Sequence, residues 1–121
     1  MGDITMDNLH VDKLEIEVKM GDIKVHHLVS KALQVENKAG DIEIFGNLTG
    51  RSEIENKMGD ITVAVKGKAE DYFMHVQTKM GDTSINGSSY EGSSDIRQGK
   101  ENSANQIRME AKMGDVKLRF D

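Results

Sequence analysis

Aspartate follows glycine at regular intervals in this sequence, and such a row of carboxylates could bind calcium. The Gly-Asp pair occurs six times, at Gly2 and Asp3, Gly21 and Asp22, Gly40 and Asp41, Gly59 and Asp60, Gly81 and Asp82, and Gly114 and Asp115. Some parallel β-rolls bind Ca²⁺ through turns rich in Gly and Asp, but those turns use a nonapeptide repeat with several glycines. Each copy here has one glycine and one aspartate, with a lysine close by. The pattern therefore favours a structural turn, and we expect no metal and no cofactor.

Histidine and methionine are the other potential metal ligands. His10 and His27 could approach each other one repeat apart, but no third ligand is specified, and a metal site needs convergent ligands. Five of the eight methionines stand directly before a glycine of a Gly-Asp pair, at Met1, Met20, Met58, Met80 and Met113. For these we expect apolar packing at a corner of the fold, in preference to copper or haem chemistry.

The sequence offers no pattern typical of catalysis. It contains no nucleophile paired with a base, no P-loop and no dinucleotide fingerprint. Neighbouring carboxylates such as Glu15 and Glu17 recur with the repeat, as expected of a solvated face. We therefore expect a chain without catalytic residues.

Residues 86–105 interrupt the repeat with a segment rich in Gly, Ser and Asn. Exposed loops on rigid scaffolds often carry recognition, so Tyr90 and Arg97 are the candidate binding residues of the sequence. Two alternatives remain open: a tolerated insertion without function, or a degenerate extra coil with Ile96 as its core residue. We expect an irregular loop insertion over 86–105.

The elements that position these residues are short β-strands. Gly-Asp pairs recur at intervals of nineteen residues from Gly2 to Gly59, and then after twenty-two and thirty-three residues. Around each pair aliphatic and polar residues alternate, as in Ile23 and Val25 on either side of Lys24. Glycine supplies positive φ for a sharp bend, and the aspartate can accept backbone hydrogen bonds there. Each repeat thus predicts two strands joined by a Gly-Asp turn.

Identical residues at a fixed offset favour a coil over an antiparallel meander. We predict an all-β, single-domain parallel β-solenoid (β-helix) over 1–121, of about six coils with a 19-residue period, and right-handed by default. The aspartates would then form one column, in which neighbouring charges about 4.8 Å apart repel by about 1 kcal/mol in water. A parallel lysine column should interleave with it, formed by Lys19, Lys38, Lys57, Lys79 and Lys112.

Composition limits the partners of the chain. Aromatic residues are only 4% and Trp is absent, so the core must consist of stacked Ile, Val, Leu and Met. The net charge is -5, and the basic residues form no run, which argues against nucleic acid and anionic lipid as partners. The chain has no cysteine, and no stretch has the length of a transmembrane helix.

The N-terminus lacks the strand that should precede the first turn. An uncapped end of stacked strands presents open edges and apolar surface. We therefore expect either that the sequence is a segment of a longer protein or that another subunit covers this end. Because there is no signal peptide at residue 1, the sequence leaves the compartment open.

With this repeat the chain resembles the bacterial adhesin family designated domain of unknown function 4097, whose members show serial Gly-Asp-aliphatic turns in a β-solenoid. The likeness runs through all six copies of the turn. It implies a non-enzymatic bacterial protein of the cell envelope or surface, in some members with an additional N-terminal segment and in some linked to envelope stress. It implies no catalytic or ligand-binding residues.

Three functions are compatible with these features. The resemblance favours an envelope-associated binding or adhesion module that contacts a protein or another envelope component. The second is a structural scaffold, similar to the bactofilins, in which coils stack end to end into a homo-oligomer. The third is a polysaccharide-acting enzyme on a β-helix, which requires a cluster of acidic or basic residues along one groove.

Overall fold

All secondary structure elements in the described part of the chain are β-strands. The computed structural model describes residues 3–67, 72–90, 94–99 and 102–120, and these contain eleven strands and no helix. The strands are β1 (Ile4–Asp7), β2 (His10–Met20), β3 (Ile23–Ala39), β4 (Ile42–Met58), β5 (Ile61–Val65), β6 (Tyr72–Met80), β7 (Thr83–Ile85), β8 (Ser88–Tyr90), β9 (Ser94–Gln98), β10 (Asn105–Met113) and β11 (Val116–Phe120). The predicted all-β fold is confirmed.

Side-chain alternation explains why these segments are strands. In β3, Ile23 and Val25 are fully buried, while Lys24 between them is exposed. The same alternation continues towards the end of β3, where Leu33 and Val35 are buried on either side of exposed Gln34. Successive side chains of a strand point to opposite sides, so one face of each strand is apolar and the other polar.

The strands form a single curled sheet with two arms that meet at the Gly-Asp turns. One arm follows the turns and has the order β1-β3-β4-β5-β11-β7-β8, and the other precedes them with the order β2-β3-β4-β10-β6-β9. Strands β3 and β4 are seventeen residues long and run through both arms. A Gly-Asp turn with its two flanking strand segments is called a layer below.

The layers pair in parallel with the predicted offset of nineteen residues over the first four turns. Ile4 pairs with Ile23, Ile23 with Ile42, and Ile42 with Ile61. The offset between β3 and β4 falls to eighteen only at the middle, where Leu28 pairs with Gly46. This repeating register places equivalent residues of neighbouring layers beside one another.

The last two layers are not stacked in sequence order. Strand β10 lies between β4 and β6, and Met113 pairs with both Met58 and Met80. Strand β11 lies in the same way between β5 and β7, where Val116 pairs with Ile61 and Thr83. The layer of Gly114 is therefore inserted between those of Gly59 and Gly81. The expected column of turns exists, but its order in space differs from that in the chain.

The segment 86–105 contains two strands among its described residues. Strand β8 pairs with β7 and strand β9 pairs with β6, and both pairings are antiparallel. Together they flank the layer of Gly81 on the side away from Gly114. These two strands therefore lie at the end of the stack, whereas β10, which follows them in sequence, lies between two earlier layers.

The core is a row of aliphatic side chains enclosed by the curled sheet. Ile23, Ile42, Ile61 and Val116 occupy equivalent positions in four successive layers, and each has at most 1% of its surface exposed. Burying an aliphatic side chain of this size contributes about 1.5 to 3 kcal/mol. Stacked aliphatic residues therefore provide most of the core, as the composition predicted.

Candidate functional site

The glycine of each turn is required by the close approach of the neighbouring layer. Gly21, Gly40, Gly59, Gly81 and Gly114 have φ between 122° and 139°. A Cβ atom on the last four would lie only 1.9 to 2.0 Å from the carbonyl oxygen of the glycine in the adjacent layer. The remaining predicted turn glycine, Gly2, lies outside the described residues. This column is a structural device and leaves no room for a ligand between its layers.

The turn aspartates form a ladder of hydrogen bonds along the stack. The amide of Asp22 donates to Asp3 Oδ1, and that of Asp41 donates to Asp22 Oδ1, at 3.0 Å in each case. The amide of Asp60 donates to Asp41 Oδ1 at 3.1 Å. The last two bonds follow the inserted layer: the amide of Asp115 donates to Asp60 Oδ1 at 3.0 Å, and that of Asp82 donates to Asp115 Oδ1 at 2.9 Å. The ladder follows the spatial order of the layers, so the carboxylates of Asp3, Asp22, Asp41, Asp60 and Asp115 are each stabilised by an amide of the next layer.

The predicted interleaving of lysine with this aspartate ladder is not found. Within the described ranges, none of the five lysines of the column makes an ion pair within 4.0 Å. They are exposed on the strands that precede the turns. Since the amides of adjacent turns already bind the carboxylates, the ladder needs no lysine counter-charge at contact distance.

Four of the five methionines before the turns are exposed, which corrects the expectation of corner packing, and the fifth, Met1, lies outside the described residues. Met20, Met58, Met80 and Met113 have 54%, 52%, 63% and 46% of their surface exposed. The interior of the turn is occupied instead by polar groups such as Asn56, whose Nδ2 donates to the carbonyl oxygen of Gly40 at 2.9 Å. The methionine side chains therefore form a ridge on the outside of the molecule.

Histidines link neighbouring strands through carboxylates. His27 Nδ1 lies 2.8 Å from Asp7 Oδ1, and His75 Nε2 lies 2.9 Å from Asp95 Oδ1. These hydrogen bonds lower the pKa of Asp7 and the pKa of Asp95 below the usual carboxyl value. Across the described ranges, no group of three or more His, Cys, Asp and Glu side chains is arranged to hold a metal ion.

A depression of about 280 Å³ lies at the end of the arm that follows the turns, and we call it the corner pocket. His10 and His27 contribute to its wall, as their one-repeat spacing suggested, together with Phe45. Lys66 and Arg119 add two cationic side chains. The volume is near the lower limit for small-molecule sites, and an aromatic surface beside convergent charged groups is their usual lining.

The corner pocket exists because one outward column contains a small residue. Ala64 pairs with Phe45 on one side and with Arg119 on the other, so a methyl group lies between two long side chains. Arg119 reaches this position only because β11 is inserted beside β5. The pocket is therefore built by residues far apart in sequence, and the repeat pattern did not predict it.

Phe45 is held in place by its neighbours. The ring of His26 stacks on that of Phe45 with centroids 4.9 Å apart and planes inclined by 10°. His26 Nε2 also lies 3.5 Å from Glu43 Oε2, a second contact with β4 that restrains the imidazole. An aromatic surface fixed in this way can receive a ligand without first being ordered.

The two binding residues predicted in the segment 86–105 lie on different arms of the sheet. Tyr90 is on β8, where its backbone pairs with Thr83, and Arg97 is on β9, where it pairs with His75. Arg97 Nε lies 3.4 Å from His75 Nε2 and 4.0 Å from Asp95 Oδ1. The structure thus places Arg97 in a polar cluster with His75 and Asp95, and Tyr90 belongs to a separate part of the surface.

The curled sheet of parallel layers, with its ladder of turns and its corner pocket, defines an all-β protein built from repeats. The model of the Toastrack DUF4097 family matches residues 1–119, and the chain belongs to this family, a domain of unknown function. No curated protein and no solved structure gives a significant match. The described residues contain no helix, and therefore no candidate for a membrane-spanning helix.

Proposed function

We propose that this chain is a non-enzymatic binding or adhesion module of the bacterial cell envelope, built as a parallel β-solenoid of about six coils. The corner pocket is the observation that carries the binding role. It combines a fixed aromatic ring with the cationic side chains of Lys66 and Arg119 on a chain whose net charge is -5. The resemblance of the turn repeat to envelope-associated adhesins supports the location.

The chemistry of the pocket favours a ligand with an anionic group attached to a planar or apolar part. The ring of Phe45 can cover the apolar part, and the methyl of Ala64 leaves space for it. The ammonium of Lys66 can then bind a carboxylate or phosphate through charge-assisted hydrogen bonds, and Arg119 adds a second positive charge to the same wall. Terminal groups of envelope glycans or peptides offer this combination.

A nuclear magnetic resonance titration of the full chain with benzoate tests the pocket directly. Benzoate has one planar ring and one carboxylate, so it should shift the resonances of Phe45 and Ala64. Ala64→Leu fills the depression from outside and should weaken binding at least about tenfold, or about 1.4 kcal/mol. Gln34→Leu introduces the same leucine at an exposed position on the other arm and is the matched control.

The envelope role needs a second measurement. Labelled chain should bind isolated bacterial cell envelopes, and Ala64→Leu should reduce that binding while Gln34→Leu does not. Benzoate binding without envelope binding would support the pocket and reject the adhesion role. Equal benzoate binding by wild type and Ala64→Leu would show that the corner pocket is not the ligand site.

A structural scaffold is the second candidate function. The two ends of the stack differ, which favours assembly through one end only. Among the described strands, β1 and β2 pair with β3 alone, so the outer edge of this layer is open to the described part of the chain. The opposite end carries antiparallel β8 and β9 in place of another Gly-Asp turn. Assembly through the N-terminal edge should give pairs of copies and no long filaments.

Sedimentation at increasing concentration tests this assembly. Ile4→Lys should abolish the association, and a strictly monomeric wild type would reject the scaffold role.

A further inference from the structure

The ridge on the outside of the molecule is unusual because its four methionines are exposed. Two other methionines, Met74 and Met109, are 3% and 0% exposed, so apolar packing is available in this fold. Met20, Met58, Met80 and Met113 nevertheless leave about half of their surface in solvent. Exposed apolar groups arranged in a row usually mark a site of interaction.

Three of these methionines occupy consecutive layers. Met113 pairs with Met58 on one side and with Met80 on the other, so neighbouring backbones are about 4.8 Å apart. The insertion of β10 creates this arrangement, because it places Met113 between the other two. Met20 is separated from Met58 by the layer of Ala39, which carries no sulfur. The ridge thus has a cluster of three thioethers and one isolated thioether.

Thioether sulfur is a soft, neutral ligand that selects soft cations such as Cu(I). The methionine side chain has three rotatable bonds, so exposed side chains one layer apart can turn towards a common ion. We propose that Met58, Met113 and Met80 form a surface site for a soft monovalent cation, Cu(I) or Ag(I). This site is independent of the corner pocket and of the envelope role proposed above.

The charges beside the cluster are compatible with a cation. The aspartates of the same turns, Asp60, Asp115 and Asp82, follow the methionines by two residues, and all three are exposed. Three lysines on the other side, Lys57, Lys112 and Lys79, balance these carboxylates. Neutral thioethers add no charge, so selection rests on the softness of sulfur. Hard ions such as Ca²⁺ and Mg²⁺, which prefer oxygen, should not compete.

Titration of the full chain with Ag(I) in chloride-free buffer tests the site. Native mass spectrometry should show one bound ion per chain, and the methyl resonances of Met58, Met113 and Met80 should shift while that of Met20 stays in place. Loss of even an outer-shell partner weakens a metal site about 10- to 100-fold, so loss of the central ligand in Met113→Leu should weaken binding at least as much. Leucine keeps the apolar size of the side chain, so the exposed ridge remains.

Met20→Leu is the matched control, because it removes one exposed sulfur of the same ridge outside the cluster. Its affinity for Ag(I) should equal that of the wild type. For Cu(I), competition with bicinchoninate should likewise give equal affinities for the wild type and Met20→Leu and a lower affinity for Met113→Leu. Equal weakening by Met20→Leu and Met113→Leu would reject the cluster. Shifts of histidine resonances in place of methionine resonances would reject it as well, as would unchanged binding in Met113→Leu. Met58→Leu and Met80→Leu provide a second test if Met113→Leu does not fold.

Discussion

Glycine at the turn is selected by a contact as well as by its φ. At Gly59 a side chain would meet the carbonyl oxygen of Gly40 at 2.0 Å, and the backbone on both sides of this contact is held by strand pairing. Neither layer can move away without breaking the pairing of its neighbours. Gly87 also has a positive φ, of 88°, but a Cβ atom there would have nothing within 4 Å. The effect of a positive φ and the effect of a close contact with the adjacent layer can therefore be measured separately in this protein.

Gly59→Ala should destabilise the chain by at least about 3 kcal/mol, because it combines backbone strain with a steric overlap. Gly87→Ala should lower the free energy of unfolding by only about 1 to 2 kcal/mol, which is the strain alone. Urea denaturation of both variants measures the difference. Equal destabilisation would mean that φ, and not the adjacent layer, requires glycine at the turn.

The histidine–carboxylate pairs predict a defined dependence on pH. Since the hydrogen bond from His27 lowers the pKa of Asp7 in the folded state, it stabilises the protein above the unfolded value of about 3.9. This stabilisation is lost as the pH falls through the lower folded value. His27→Ala should raise the pKa of Asp7 and leave that of Asp95 low, and His75→Ala should do the reverse. Carboxyl titration by nuclear magnetic resonance checks both, and a change at both carboxylates in either variant would contradict independent pairs.

Strand order is the feature of the elements that depends on the whole chain. The turn motif and the alternation of aliphatic residues predicted the strands, the parallel register and the nineteen-residue offset. They did not predict the position of β10 and β11, because every layer carries nearly the same Lys-Met-Gly-Asp sequence, and this motif does not distinguish one neighbour from another. The corner pocket was missed for the same reason, since Arg119 reaches Ala64 only through this insertion. Local repetition determines how layers pair and leaves their order open.

Engineered disulfides can establish the order of the layers, and the chain has no cysteine of its own. Glu110 pairs with both Glu55 and Gln77, so the double variants Glu55→Cys/Glu110→Cys and Gln77→Cys/Glu110→Cys should cross-link under mild oxidation. Glu55→Cys/Gln77→Cys should remain reduced, because its Cα atoms are two layers, about 9.6 Å, apart. Non-reducing electrophoresis with peptide mapping distinguishes these results. A cross-link between positions 55 and 77 would instead show stacking in sequence order.

At the scale of the molecule, the two ends of the stack differ in protection. Within the residues that the structure describes, the N-terminal layer is paired on one side, and its apolar residues Ile4, Met6 and Leu14 are only partly buried. The central strands are paired on both sides and contain the most buried residues, including Ile42 and Ile44. Opening free energies should therefore increase from the N-terminal edge towards the middle.

Hydrogen exchange measured by mass spectrometry should show this gradient. Amides of β2 should exchange at least about tenfold faster than those of β4 at neutral pH, because local opening of an edge layer breaks fewer contacts. Removing the bond to the edge layer in His27→Ala should accelerate exchange in β1 and leave β4 unchanged. Uniform protection of β2 and β4 would indicate that the stack opens only as a whole.

The insertion of β10 also makes correct folding depend on the rate of translation. Thirty-three residues separate Gly81 from Gly114, and at about 5 to 20 residues per second a ribosome takes about 2 to 7 s to make them. During that interval the nascent chain already contains the layers of Gly59 and Gly81, whose sequences match well enough to pair with each other. Native folding then requires either that this space stays open until β10 emerges or that a premature pairing is undone. A slower codon choice between the two turns should therefore increase the yield of misordered chains.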